Sequence, residues 1–202
     1  MAKLYFNYGA MASGKTIEVI EILYKYNSKN MHAVLAKPKL DTKGNNKIVS
    51  RIGMEKETDF TIGKDETFTN YLKQYNDITC LIIDEAQFLT KKQVLELFYL
   101  VKKLNLPVIC YGLKVDFKGE LFEGSKALLE LADSLNELVS VCSCGRKARF
   151  NARKINGEYV YEGKQVVIGA DETYEPMCGN CFVEKVLIPY SKEFQLFEKK
   201  SN

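Results

Sequence analysis

The segment Gly9-Ala10-Met11-Ala12-Ser13-Gly14-Lys15-Thr16 follows the spacing G-x-x-x-x-G-K-[ST] in full. Glycines at those positions let successive backbone N–H groups curl around phosphate oxygens. The lysine reaches the β- and γ-phosphates, and the Thr16 hydroxyl is placed to ligate Mg²⁺. Lys3–Tyr8, ahead of the loop, reads as a strand, and Thr16–Tyr26, behind it, has apolar residues at helical spacing, so a helix N-terminus adds its dipole at the same anion. A glycine-rich turn with an incidental lysine would show the same letters; the strand-turn-helix context separates the two readings.

A second run, Cys80-Leu81-Ile82-Ile83-Asp84-Glu85-Ala86-Gln87-Phe88, is an apolar strand ending in acids. That arrangement brings a carboxylate beside a nucleotide-bound metal at the C-terminal edge of a sheet. Asp84 is the candidate for Mg²⁺, through water, and Glu85 the candidate for accepting a proton from an attacking hydroxyl or water. The alternative is that both acids cap the helix that follows. Together the two runs imply use of a nucleoside triphosphate, and they go no further, because kinases, ATPases and GTPases share them.

Four of the six cysteines form two tight pairs, Cys142-Ser143-Cys144-Gly145 and Cys178-Gly179-Asn180-Cys181. Four thiolates suit a closed, structural Zn²⁺ site, which would turn residues 145–177 into a fixed loop. C-x-C is tighter than the usual C-x₂-C, so Cys142 could instead be a packed strand residue, leaving three thiolates and some other ligand. Cys80 and Cys110 stand within apolar runs, where a free cysteine acts as a small hydrophobe. His32, the only histidine, opens a strand and reads as a surface or packing residue.

These residues need a scaffold, and residues 1–140 supply one by alternating short β-like runs with helical patterns, the mark of a parallel sheet flanked by helices. Strands are expected at Lys3–Tyr8, Met31–Lys37, Thr79–Asp84 and Pro107–Tyr111, with another near Glu137–Val141. Helices are expected at Thr16–Tyr26 and Lys91–Leu104, the second burying Val94, Leu95, Leu97, Phe98 and Val101. Pro38–Gly53 and Lys114–Gly124 read as long loops of the functional or mobile kind. From residue 141 the pattern changes to short strands and turns, and Asn156-Gly157 between Arg149–Ile155 and Glu158–Glu162 signals a hairpin. The expected organisation is a nucleotide-binding domain over 1–140, a zinc domain over 141–190 and a flexible tail over 191–202.

At 202 residues, with 46% apolar and 27% charged, the composition is that of a folded globular protein. A net charge of +3 is too small for a dedicated nucleic-acid binder. No signal-peptide core and no run of about 18 apolar residues is present, which points to the cytosol and to no membrane partner.

With these motifs in order, the chain resembles the type II thymidine kinases over about residues 3–182. The match rests on the Gly9–Thr16 loop, Asp84-Glu85-Ala86-Gln87-Phe88, Tyr111-Gly112-Leu113 through Phe117 to Phe122, the paired cysteines, and Val167-Ile168-Gly169 with Tyr174 before Cys178. The resemblance implies an α/β fold of the P-loop NTPase (RecA-like) type plus a small zinc-ribbon-like domain carrying a lasso loop. It implies Glu85 as general base, with Asp84, Gln87, Asp41, Lys43 and the phosphate loop contacting ATP and Mg²⁺. Lys43 stands where the family typically has arginine, which keeps the charge and loses the bidentate fork. Residues matching Met11, Phe88, Leu113, Phe117, Phe122 and Tyr174 would box the base, and backbone groups of Gln165, Val166, Val167, Ile168 and Gly169 would read its edges. Lys114 departs from the acid that some relatives carry after Leu113. The resemblance further implies thymidine and deoxyuridine as substrates in deoxynucleoside salvage, a homotetramer, and feedback inhibition by thymidine triphosphate. The rival readings from the motifs are a nucleic-acid-dependent ATPase with a zinc ribbon, since Asp84-Glu85-Ala86-Gln87 looks like a helicase motif, and a non-enzymatic nucleotide switch.

Overall fold

The computed structural model describes residues 1–41, 44–165 and 172–191. In chain order the first part runs β1 (Leu4–Tyr8), α1 (Lys15–Asn27), β2 (His32–Pro38), β3 (Lys47–Val49), β4 (Glu55–Glu57), β5 (Phe60–Ile62), α2 (Phe68–Leu72), β6 (Ile78–Ile83), α3 (Lys91–Leu104), β7 (Val108–Gly112), α4 (Glu123–Leu131) and β8 (Ser134–Glu137). Then follow β9 (Ser140–Val141), β10 (Lys147–Ala148), β11 (Phe150–Ile155), β12 (Glu158–Val160), β13 (Glu172–Met177) and a short helix α5 (Gly179–Phe182). The chain divides into two compact units. The first is Met1–Gly9, Gly14–Lys114 and Leu121–Leu138; the second is Ala10–Ser13, Val115–Glu120 and the described residues from Val139 on.

The first unit is an α/β layer structure around a six-stranded sheet of order β5-β2-β6-β7-β1-β8, parallel at every pairing. Strands covered on both faces read as near-continuous apolar runs, because alternate side chains must each meet a hydrophobic layer. Leu81 and Ile83 of β6, with Val34 and Ala36 of β2, join Val94, Leu97 and Val101 of α3 on one face. Cys80, Ile82, Ala33 and Leu35 meet Val19 and Leu23 of α1 on the other. Both Cys80 and Cys110 are fully buried, as small hydrophobes. Helix α3 starts on a capping box, in which Thr90 Oγ1 accepts from Gln93 N at 3.2 Å and Gln93 Oε1 accepts from Thr90 N at 3.0 Å. It ends where Asn105 adopts the left-handed conformation, φ 53°.

Several local expectations are corrected. The strand placed near Glu137–Val141 is two elements. Ser134–Glu137 is the edge strand beside β1, entered where the Asp133 carboxylate accepts from Leu4 N and Asp133 N donates to Leu4 O, both at 2.8 Å. Ser140–Val141 pairs with β10 instead. An edge strand needs little apolar content, so the polar letters of Ser134 and Asn136 conceal it, and the more apolar Val139 and Val141 are exposed. The Pro38–Gly53 segment holds β3, which forms a hairpin with β4. Lys114–Gly124 gives way at Glu123 to α4, a helix absent from the sequence-based expectation. On α3, Val94, Leu97 and Val101 are buried, while Leu95 is 47% exposed on the opposite face.

The second unit has a three-stranded antiparallel sheet, β12-β11-β13, and the β9-β10 hairpin. The β11-β12 turn sits at Asn156-Gly157 with φ of 52° and 84°, the paired positive values that favour these residues in a two-residue hairpin. Its core gathers Ala148, Ala152, Met177, Phe182 and Val186 around three of the paired cysteines, with Phe150 and Phe182 stacked at 4.7 Å. Among the described residues no helix is long and apolar enough to cross a membrane.

Candidate active site

The phosphate loop leaves β1 after Tyr8 and enters α1 at Lys15. Gly14 holds φ 83° with nothing within 4 Å of where a Cβ would stand, so backbone conformation and not space demands glycine there. Lys15 is buried, and its Nζ donates to Gly9 O at 3.2 Å across the loop. Burial pushes this ammonium below the usual lysine range, while the charges of Glu85 and Asp84 act to keep it protonated. Thr16 Oγ1 lies 3.4 Å from Asp84 Oδ2, so the two side chains expected to share a divalent cation already face each other.

Asp84 continues the β2-β6 ladder through its N–H to Ala36 O at 3.0 Å, and is almost wholly buried. Burial and the adjacent Glu85 charge push its carboxyl up to about 7, against the pull of the Glu85 N–H and Lys15. That N–H donates to Asp84 Oδ1 at 2.9 Å. Glu85 itself adopts the left-handed conformation, φ 53° and ψ 35°, at a cost of about 1–2 kcal/mol for a residue with a side chain.

Gln87 is where the site is tied together. Its Nε2 donates to Glu85 Oε2 in a short hydrogen bond, and its Oε1 accepts from Leu113 N at 3.0 Å. The side chain is 1% exposed. Two glycines make room for this turn. A Cβ on Gly112 would stand 2.6 Å from Gln87 Oε1, and one on Gly124 would stand 2.5 Å from Ala86 O and 2.8 Å from Leu89 O. The resemblance assigns Gln87 to ATP and shows neither the link to Glu85 nor the two glycines; for Gly112, its place beside Leu113 in the resemblance is the one available signal. Lys37, which no motif marks, is a buried cation whose Nζ donates to Asp41 Oδ2 and to Lys47 O, each at 3.0 Å.

The residues implied for the nucleoside fall in both units. In the first, Phe88 meets Phe122 edge-on at 5.8 Å and 85°, and Leu113 O accepts from Ser125 Oγ at 2.6 Å. In the second, Met11 N donates to Asn151 Oδ1 at 2.7 Å and Met11 O accepts from Ser140 Oγ at 2.8 Å. Phe117 is 1% exposed, Gln165 Nε2 donates to Asp116 Oδ2 at 3.1 Å, and Tyr174 lies opposite Arg153 in the β11-β13 register. Lys43 and Val166, Val167, Ile168 and Gly169 lie outside the described residues.

All four paired cysteines come together in the second unit, with their sulfurs within 4.8 Å of one another and Cys144 Sγ 3.5 Å from Cys178 Sγ. Tetrahedral Zn–S bonds of about 2.3 Å would set sulfurs about 3.8 Å apart, so the cluster has the right size. The C-x-C spacing works through a tight turn: Gly145 N donates to Cys142 O and Cys142 N donates to Arg146 O, both at 2.8 Å, with Gly145 at φ 82°. Burial pushes the Cys142 thiol up, but the N–H groups of Cys144 and Cys178 and the facing thiols outweigh it and bring the group to about 6, which favours the thiolate a metal requires. The cluster is therefore compatible with zinc, and Cys142 belongs to it.

Comparison with known proteins converges with this geometry. The family model for thymidine kinase matches residues 2–182. The chain is 42% identical over 188 residues to a thymidine kinase of Shewanella oneidensis, covering 91% of this chain and 98% of that protein. It is 41% identical over 192 residues to one of Pasteurella multocida, covering 93% and 100%. It is 45% identical over 181 residues to one of Lactiplantibacillus plantarum, covering 88% and 94%. A phosphate loop, the buried Asp84 followed by a Glu85 that Gln87 braces, and a four-thiol cluster thus stand in a chain that belongs to the thymidine kinase family.

Proposed function

We propose that this chain transfers the γ-phosphate of ATP to the 5′-hydroxyl of thymidine, and of deoxyuridine, giving the 5′-monophosphate for deoxynucleoside salvage. The observation that carries the reading is the Glu85 carboxylate held by Gln87 one residue from the buried Asp84, with Lys15 and Thr16 facing Asp84. Lys15 and the loop N–H groups, Gly9 to Thr16, take the phosphates, with Asp41 and Lys43 beside them; Glu85 orients the 5′-hydroxyl and accepts its proton. Thr16 and Asp84 would hold Mg²⁺, which supplies neutralisation of the developing phosphate charge. A cation there also stabilises the ionised form of Asp84, which burial by itself disfavours.

Met11, Phe88, Leu113, Phe117, Phe122 and Tyr174 contact the base, and the backbone of Gln165–Gly169 reads its edges. Cys142, Cys144, Cys178 and Cys181 hold a structural Zn²⁺. The enzyme acts in the cytoplasm as a homotetramer inhibited by thymidine triphosphate. The family match does not favour the nucleic-acid-dependent ATPase. Transfer of labelled phosphate from ATP across a panel of nucleosides tests the proposal: thymidine monophosphate is the expected product, and ATP hydrolysis stimulated by DNA or RNA without a nucleotide product would refute it.

A further inference from the structure

Arg153, in the middle strand β11 of the second unit, is 2% exposed. Its guanidinium carbon stands 3.7 Å from the centroid of the Phe117 ring. Nη2 donates to Glu162 O at 2.7 Å, and Nη1 donates to Lys164 O at 3.1 Å. One planar cation therefore backs an aromatic ring and ties down two carbonyls of the chain leading into residues 166–169. Gly163 lies between those carbonyls at φ 122°, and a methyl group there would collide with Nη2. The chain at 162–164 is thus shaped around the guanidinium.

Two further bonds hold the same pair of segments together. Gln165 Nε2 donates to Asp116 Oδ2 at 3.1 Å, and Tyr161 Oη donates to Lys118 O at 3.2 Å. Asp116 is itself fixed, accepting from Lys118 N at 2.8 Å and Glu120 N at 2.9 Å through Oδ1. Burying a guanidinium is costly; here Nη1 and Nη2 each reach a carbonyl and the face takes a ring, which offsets part of that cost. Lysine, a point charge on a flexible stem, would reproduce neither the stacking nor the paired donation.

We propose that Arg153 is a positioning residue for thymidine: it sets the Phe117 ring and the stem of the base-reading segment as one rigid body, and so governs affinity for the nucleoside without touching it. The inference rests on the assignment of Phe117 and Gln165–Gly169 to the base. ATP is expected to be affected far less, because the contacts of Arg153 given above are to Phe117 and to the carbonyls at 162 and 164, not to the Gly9–Thr16 loop.

The test uses the full zinc-loaded chain. Arg153→Met is expected to raise KM for thymidine about tenfold or more, as loosened positioning does, with KM for ATP and zinc content held at wild-type values. Arg153→Lys should recover only part of the loss. An unchanged thymidine KM, or both KM values rising together, overturns the proposal. Should Arg153→Met fail to fold, Gly163→Ala, which crowds the guanidinium without removing it and also strains the backbone at φ 122°, must give the same selective rise; a wild-type thymidine KM in that variant overturns the idea equally. If the wild-type chain makes no thymidine monophosphate, the functional reading fails separately. Arg153 is then judged by melting temperature alone: Gly163→Ala must lower it less in the Arg153→Met background than in wild type, and equal losses refute the packing.

Discussion

Replacing Asp84 with asparagine should stabilise the nucleotide-free, magnesium-free protein while abolishing phosphoryl transfer. Burial and the neighbouring Glu85 charge raise this carboxyl from 3.8 to about 7 in the folded chain. Between those values the folded state holds a proton that the unfolded chain has released, so stability falls as pH rises from about 4 to about 7 and then levels off. Each tenfold gain in proton affinity on folding corresponds to about 1.4 kcal/mol, so the full penalty above pH 7 is on the order of 4 kcal/mol. Asparagine removes it but also takes from Lys15 a buried counter-charge, and it keeps an acceptor for Glu85 N. The expected net gain at pH 8 is therefore about 2 kcal/mol, a rise in melting temperature of roughly 4–8 °C for a chain of this size. Thermal melts of both proteins at pH 5 and pH 8, without nucleotide or magnesium, read it out. The gap should be small at pH 5 and open toward pH 8. A gap that does not depend on pH, or an Asp84→Asn protein less stable than wild type at pH 8, would refute the electrostatic account.

Glu85→Gln should lower turnover of thymidine by about 10²–10⁴-fold with ATP affinity preserved in a titration; wild-type turnover would remove Glu85 from the role of base. Gln87→Leu should leave the Leu113 N–H without its acceptor, destabilise by about 1–3 kcal/mol and lower kcat more than it changes KM for ATP; intact kcat would show that Glu85 holds its place unaided. Gly112→Ala should cost about 1–3 kcal/mol through overpacking, and the loss should shrink in a Gln87→Ala background, where melting of the four proteins would expose additive costs as the contrary result. Cys144→Ser, or removal of zinc with a chelator, should abolish thymidine phosphorylation and weaken nucleotide binding far less, as followed with a fluorescent ATP analogue.

The phosphate loop, the acid-ended β6 and the four cysteines are legible in the sequence because each is a local pattern with one physical purpose. The central strands are legible for a related reason, since Leu81–Ile83 must be apolar on both faces of a covered parallel sheet. What escapes depends on partners far along the chain. The edge strand Ser134–Glu137 owes its place to Asp133 bonding with Leu4, 129 residues earlier, and β5 is only Phe60–Ile62, too short to show a period. In sequence Arg153 is one more basic residue in a polar hairpin; only the fold surrounds it with Phe117 and the carbonyls at 162 and 164. The family resemblance marks Gln87 for the nucleotide, whereas its side-chain hydrogen bonds here are to Glu85 and Leu113. The C-x-C spacing is doubtful only when counted in residues; the turn at Gly145 brings the sulfurs together regardless.

The turn that carries Glu85 is pressed from two sides, by Gly112, where a Cβ would meet the end of the Gln87 side chain, and by Gly124, where it would meet backbone carbonyls. Neither offers a functional group, yet a library of all single substitutions selected for growth on thymidine should find them nearly as intolerant as Glu85. At Gly112 a side chain becomes admissible once the Gln87 side chain gives way, whereas at Gly124 the 86–89 backbone itself must move. Reshaping this enzyme for other nucleosides has more freedom elsewhere, in the residues proposed to meet the base, than in the turn that carries Glu85.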